Sequence, residues 1–417
     1  MKVLLLNQCF WPDVAATAQH LTDVALGLTE RGHQVTVVCA DRAYDAPQTR
    51  FSRRESWRGI DIIRVPSVQA NKKSRLQRGL NFASFLVACA ARLLFLRRQD
   101  VVIALTSPPL ISWLASWFTR LKGGRLISWV MDLNPDEAIA AGWLAQDSFT
   151  ARALERLLLT SMRRSAAIVV PDRFVKQRLT AKNISADKVL ILPPWSLEDV
   201  VGYDQEGRER FRRQHGLTDK FVVMYAGNHS PCHPLETLLS VAEKLAHRSD
   251  ISFSFVGGGS EHSTVERFAS SRGLDGIVCL PYQPRHRLGE LLSAADLHVV
   301  IMGNSFVGII HPSKIYNVLK VRAPFLYLGP EESHIVDIID NMNDSSDVYC
   351  AKHGETDRIV DHILRALARS SVPRVTVSKH NPTDTLNQML EIIEGQFLPA
   401  TARNYLVEDK TTVTDSL

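Results

Sequence analysis

Short apolar runs alternate with longer segments of helical period along most of this chain. Val3–Leu6, Val35–Cys39, Ile60–Val65, Val101–Leu105, Arg125–Met131, Ala167–Val170 and Val189–Leu192 are nearly continuous in hydrophobic residues, as strands buried on both faces of a parallel sheet are. Between them, Thr17–Arg31, Leu80–Leu96, Ile111–Leu121 and Ala151–Arg163 return an apolar residue at every helical turn, the pattern of helices packed on one side. The chain opens strand, loop, helix, strand, with Gly32 ending the helix. That order predicts a doubly wound α/β unit.

The pattern then restarts. Phe221–Tyr225, Ile251–Val256, Ile277–Leu280, His298–Ile301 and Phe325–Leu328 read as strands and Leu235–Ala246 as a helix, with the charged stretch Glu206–Lys220 as a separator. At 417 residues the chain exceeds one ordinary core. The expectation is two Rossmann-like domains facing across a cleft, residues 1–195 and 196–375. A helix within 376–400, amphipathic over Thr383–Glu394, is free to cross back to the first domain, and a polar tail at 401–417 reads as disordered.

Composition changes this picture little. A net charge of +5 is small for the length, so nucleic acid is not the natural partner. Where the charge lies matters more: Arg50–Arg58, Lys72–Arg78, Arg97–Arg98 and Arg208–Arg213 are dense in Lys and Arg. The six cysteines are scattered with no C-x-x-C pair, as thiols of a reducing compartment are. The opening apolar run meets Asn7 and Gln8 too soon for a secretion signal, so a cytoplasmic protein is expected.

Candidate chemistry concentrates in the second half. Gly227-Asn228-His229-Ser230-Pro231-Cys232-His233-Pro234 joins a strand to a helix. Such a turn either offers backbone N–H groups to a phosphate or is simply tight. Pro312-Ser313-Lys314 precedes another apolar helix. Ser313 reads as its cap, whereas Lys314 opposes the helix dipole unless an anion sits there. Asn317, one turn on, is placed to bond ribose hydroxyls. Gly257-Gly258-Gly259 lacks G-x-G-x-x-G spacing and reads as a close-packed turn. In the first half, Asp132, Asp136 and Glu137 follow a strand; Asp132 either satisfies its loop or polarises a substrate hydroxyl. No Asp-x-Asp or histidine cluster accompanies them, so no metal is expected. Leu80–Leu96 is apolar almost all round but shorter than the ~20 residues of a membrane span. Lys72, Lys73, Arg75 and Arg78 precede it and Arg97 and Arg98 follow it, a basic collar suited to an anionic bilayer. A buried crossover helix is the alternative, and both can hold.

Taken in order, MKVLLLNQCFWPD, TERGHQVTVVCA, LTSPPL, WVMDLNPDEAIAAGWL, YAGNHSPCHPLETLL and HPSKIYNVL resemble the family 4 glycosyltransferases of the GT-B fold. Within that family they are most similar to bacterial exopolysaccharide and O-antigen transferases of the colanic-acid type, over about residues 1–395. The resemblance implies retaining, metal-independent transfer of a sugar from a nucleotide-diphosphate sugar, with no other cofactor, to a lipid-linked glycan at the inner face of the cell membrane. It implies that Gly227, Asn228, His229, Ser313 and Lys314 hold the diphosphate and that Asn317 meets the ribose. Tyr282 and Gln283 would lie beside the base. Asp132, Lys314 and His233 would act in catalysis, with His233 in place of the family's basic residue. Trp11 and the basic collar would serve the acceptor and the membrane. The family's E-x7-E pattern is incomplete: Asn317 occupies the second position, and Phe306–Ile310 holds no first glutamate. A nucleotide-sugar 2-epimerase on the same fold, or a non-catalytic partner protein, are the competing readings.

Overall fold

Lys2–Leu6 (β1) is apolar on both faces because helices cover it from both sides, and it sits inside an eight-stranded sheet. Its companions are Gln34–Ala40 (β2), Arg54–Trp57 (β3), Ile60–Val65 (β4), Val101–Ala104 (β5), Arg125–Trp129 (β6), Ala167–Val170 (β7) and Val189–Ile191 (β8). The order is β3-β4-β2-β1-β5-β6-β7-β8, parallel except for β3, which pairs antiparallel with β4. The chain leaves β1 in one direction and returns to its other side at β5, so the strand order reverses between them. These are features of a computed structural model that describes residues 1–13, 15–43, 48–68, 75–195, 202–369 and 382–396.

The second sheet has six parallel strands: Phe221–Asn228 (β9), Ile251–Gly258 (β10), Ile277–Leu280 (β11), Leu297–Ile301 (β12), Phe325–Leu328 (β13) and Val348–Ala351 (β14). Its order, β11-β10-β9-β12-β13-β14, reverses between β9 and β12. Ligands of open α/β sheets bind outside the carboxyl ends of the strands at such reversals.

Two compact units result. The first is Met1–Pro194 with Gly308–Ile310 and the chain from Thr383; the second is Trp195–Val307 with His311–Pro382. The helix Pro382–Glu394 thus completes the first unit's core. Met389, Leu390, Ile392 and Ile393 are buried, and a Cβ on Gly27 would stand 2.8 Å from Leu390 Cδ1. Arg31 and His33 pair with Glu394, and Arg125 donates to the Ile393 carbonyl.

Several expectations are corrected. Glu206–Lys220 is no separator: it holds the helix Gln205–Gln214, whose Arg208 and Arg212 both grip the Asp296 carboxylate at the head of β12. Half of the arginine cluster there is thus used inside the fold, while Arg210 and Arg213 remain exposed beside Glu290 and Glu209. Strand β3 (RESW) lacks an apolar run, and β14, although apolar throughout, is only four residues long; both carry half-buried positions on an edge. The tail at 401–417 lies outside the described residues, as do Lys72 and Lys73.

Candidate functional site

At the reversal in the second sheet, β9 and β10 run side by side to the paired glycines Gly227 and Gly257. The glycines are required there. Gly257 has φ +142°, and a Cβ on it would lie 2.0 Å from the Gly227 carbonyl oxygen; one on Gly259 would lie 2.3 Å from that of His229. The triple-glycine segment is the close-packed turn its composition predicts. Tyr282 lies over it, its hydroxyl 3.3 Å from the Gly258 carbonyl, and Gln283 donates to the Pro281 carbonyl. Asn228 is exposed at the tip, and its carbonyl accepts from the Tyr225 hydroxyl at 2.6 Å.

The turn after β9 folds back onto β12. His233 Nδ1 donates to the Ile301 carbonyl at 2.7 Å, and Gly303 N to the Cys232 carbonyl at 2.9 Å. His229 Nδ1 donates to the Gly227 carbonyl at 3.1 Å. Burial first, then the positive Lys314, holds His233 well below the ordinary histidine range. Burial, then His262, then Lys314, pulls His229 down to about 4. Both shifts favour the neutral imidazole.

Lys314 begins the helix Lys314–Lys320, and its ammonium reaches back across the turn. Nζ stands 3.8 Å from the centroid of the Tyr225 ring, and a Cβ on Gly227 would lie 3.2 Å from it. Nζ is buried and has no hydrogen-bond partner. Burial lowers the lysine to about 7, since a charge without an opposite partner is expensive in a dry site. The reading of Ser313 as a cap is corrected. It occupies the N-cap position, but its backbone is helical (φ −65°, ψ −11°) and its side chain makes no capping bond. Asn317 is half-buried one turn beyond Lys314.

In the first unit, loops at the carboxyl ends of β1, β5 and β6 interlock. Gln8 N donates to the Ser107 carbonyl at 2.8 Å, and Asp132 N to Thr106 Oγ1 at 3.3 Å. Asp132 lines a narrow pocket with Leu105, Thr106, Leu110, Ser112 and Leu133. Burial, with Glu137 beside it, pushes its carboxyl well above the ordinary aspartate range. Asp136 behaves differently. It is buried under Lys182, at 2.7 Å, and Arg178, at 3.2 Å, which anchors the loop carrying Asp132.

Trp11 stacks on Trp57 with ring centroids 4.2 Å apart, and Arg58 lies over Trp57. The helix Arg75–Leu94 turns Phe85, Cys89 and Leu93 inward. Its outer side is also apolar: Leu80 is 59% exposed, Val87 71%, Leu94 52% and the following Phe95 81%. Arg97 and Arg98 are exposed at its end; the side chains of Arg75 and Arg78, at its start, lie outside the described set. Among the described residues no helix is long and apolar enough to cross a membrane. Sequence reasoning missed Tyr225, which supports Lys314, and His262, which faces His229. One sits inside a strand and the other in a helix, with no local motif to mark either.

Residues 16–195 match the glycosyl transferase 4-like domain, and residues 207–309 the glycosyl transferases group 1. The chain is 25% identical to the putative colanic acid biosynthesis glycosyl transferase WcaI of Escherichia coli K12, over 77% of this chain and 81% of that protein. It is 27% identical to the probable glycosyltransferase WbjE of Pseudomonas aeruginosa, over 65% and 68%. Among solved structures it is similar to WaaG, a glycosyltransferase involved in lipopolysaccharide biosynthesis, with TM-score 0.66 and 15% identity over 94% of this chain and 100% of the other. HepE of Anabaena in complex with UDP-glucose gives TM-score 0.65 and 14% identity over 99% and 100%. Two tandem Rossmann-like units and matches to both halves agree, and the chain belongs to the family 4 glycosyltransferases of the GT-B fold.

Proposed function

We propose that this enzyme transfers a sugar, with retention and without a metal, from a nucleoside-diphosphate sugar to a lipid-linked glycan during surface polysaccharide synthesis. The observation that carries the reading is the Lys314 ammonium, buried beside the Gly227 turn with no hydrogen-bond partner. A diphosphate supplies the missing counter-charge, and the same lysine then steadies the negative charge that builds on the leaving nucleotide. Same-face attack within an ion pair needs no protein nucleophile. Asp132, held at high proton affinity, is placed to hydrogen-bond a substrate hydroxyl. The names of WcaI, WbjE and WaaG, and the UDP-glucose bound to HepE, support this donor and pathway class.

Thermal stabilisation by UDP, GDP and ADP, with and without EDTA, tests it. Selective stabilisation by one nucleotide, unchanged by EDTA, is the expected result. Stabilisation by none of them sinks the donor reading in favour of a non-catalytic partner protein. The epimerase alternative predicts altered nucleotide sugar without acceptor, which chromatography of the product reveals.

The exposed stripe Leu80, Val87, Leu94 and Phe95, ending in Arg97 and Arg98, supports peripheral binding to the anionic inner face of the membrane. This placement brings the enzyme to a polyprenyl-linked acceptor.

A further inference from the structure

His229 and His262 meet edge to face, ring centroids 4.9 Å apart, beside the β9 turn. His229 is wholly buried, and the His262 side chain is 17% exposed. Their neighbours fix the tautomers. A carbonyl oxygen can only accept, so the bond to Gly227 places the proton of neutral His229 on Nδ1. His262 Nδ1 lies 3.4 Å from a Glu266 carboxylate oxygen, which draws that ring's proton the same way. Each Nε2 is then a bare lone pair, and both are buried with no hydrogen-bond partner. A bare nitrogen repels an anion. It can donate to one only after gaining a proton, because Nδ1 is already committed.

We propose that the His229–His262 pair takes up a proton together with its anionic ligand, so that a nucleoside diphosphate binds as a proton-coupled event. This rests on the nucleotide-sugar reading of the same site. The groups facing the pair are few. Tyr225 on β9 and Phe255 on β10 present rings, Lys314 a positive charge, His233 a second neutral imidazole, and Glu266 the negative charge at the His262 Nδ1 edge. Burial, then His262 and Lys314, disfavour a further positive charge on His229. A diphosphate offsets that positive field, and a proton from solvent settles on Nε2 of His262, the ring of the pair that reaches the surface and has Glu266 at its other edge. No covalent bond changes.

Gln at either position puts a neutral N–H donor where Nε2 stands. Titration calorimetry of UDP, GDP and ADP, in buffers of differing ionisation enthalpy, counts the protons taken up. It is run on wild type, His262→Gln and the His229→Gln/His262→Gln double variant. Wild type is expected to take up more protons per nucleotide than either variant. Its affinity should fall more steeply with rising pH, by about tenfold per pH unit for one proton. Contributions from Lys314 and from the nucleotide's own phosphate are common to all three proteins and cancel in the difference. Equal uptake with nucleotide bound overturns the proposal and leaves the donor reading standing. Binding of none of the nucleotides to wild type, at any pH, overturns both. Should the double variant fail to fold, His262→Gln, whose side chain reaches the surface, carries the comparison.

Discussion

Lys314 and Asp132 are opposite cases of one physical problem. Each is a titratable group held in a site that does not want its charge. For Lys314 the folded value, about 7, lies below the unfolded one, 10.5. The unfolded chain therefore binds more protons between these values, and stability gains from rising pH across that window. Lys314→Met removes the gain and the unpaired charge together. The variant should be more stable than wild type below neutrality, by on the order of 1–3 kcal/mol, while losing turnover and nucleotide stabilisation. Denaturant melts at a series of pH values, beside an activity assay, check this; a variant with full turnover removes Lys314 from the mechanism. For Asp132 the sign is reversed. Its folded value is raised, so its contribution is present below the ordinary aspartate value and is lost as pH rises through the folded one. Asp132→Asn should flatten that loss in the same melts. The lysine was legible because a cation at a helix start is electrostatically out of place. Its burial over Tyr225 was not legible, since that contact joins residues far apart in sequence.

Elements show where the hydrophobic pattern speaks and where it falls silent. Central strands announced themselves because both faces are covered, as at β1 and β7, where almost every position is buried. The edge strand β3 is charged and half-exposed because one side of it meets solvent, and β14 is a four-residue apolar run too short to stand out, alternating buried and half-buried positions. In Arg54–Trp57 the charges looked like a free basic cluster, yet Arg64 beyond it is buried and bonded to Glu55. Leu80–Leu96 reads as apolar almost all round, and Val87, exposed on the helix Arg75–Leu94, agrees. Val87→Glu with Arg97→Ser and Arg98→Ser should abolish flotation with anionic vesicles and leave the melting temperature nearly unchanged, since these side chains bury little. Retained flotation would leave that helix a crossover element alone. The Asp136 anchor is the opposite kind of polar feature. Asp136→Ala leaves Lys182 with Glu155 alone, and should cost roughly 1.5–3 kcal/mol, read as a lowered denaturant midpoint with unaltered slope.

On the scale of the whole molecule, the domains are not consecutive pieces of chain. Met389, Leu390, Ile392 and Ile393 seal the first unit from beyond the end of the second. Each buried side chain contributes about 1.5–3 kcal/mol as an upper bound. Removing residues 382–396 should therefore lower the unfolding transition of the first unit and leave that of the second in place, as resolved by calorimetry. Equal shifts in both would show that the helix acts otherwise. Proteins are made from the amino end, and an early domain ordinarily folds while the rest is still being synthesised. Here the Gly27 face waits for Leu390. The ribosome must deliver the entire second unit before the first sheet receives its last covering layer, so the half made first is the half finished last.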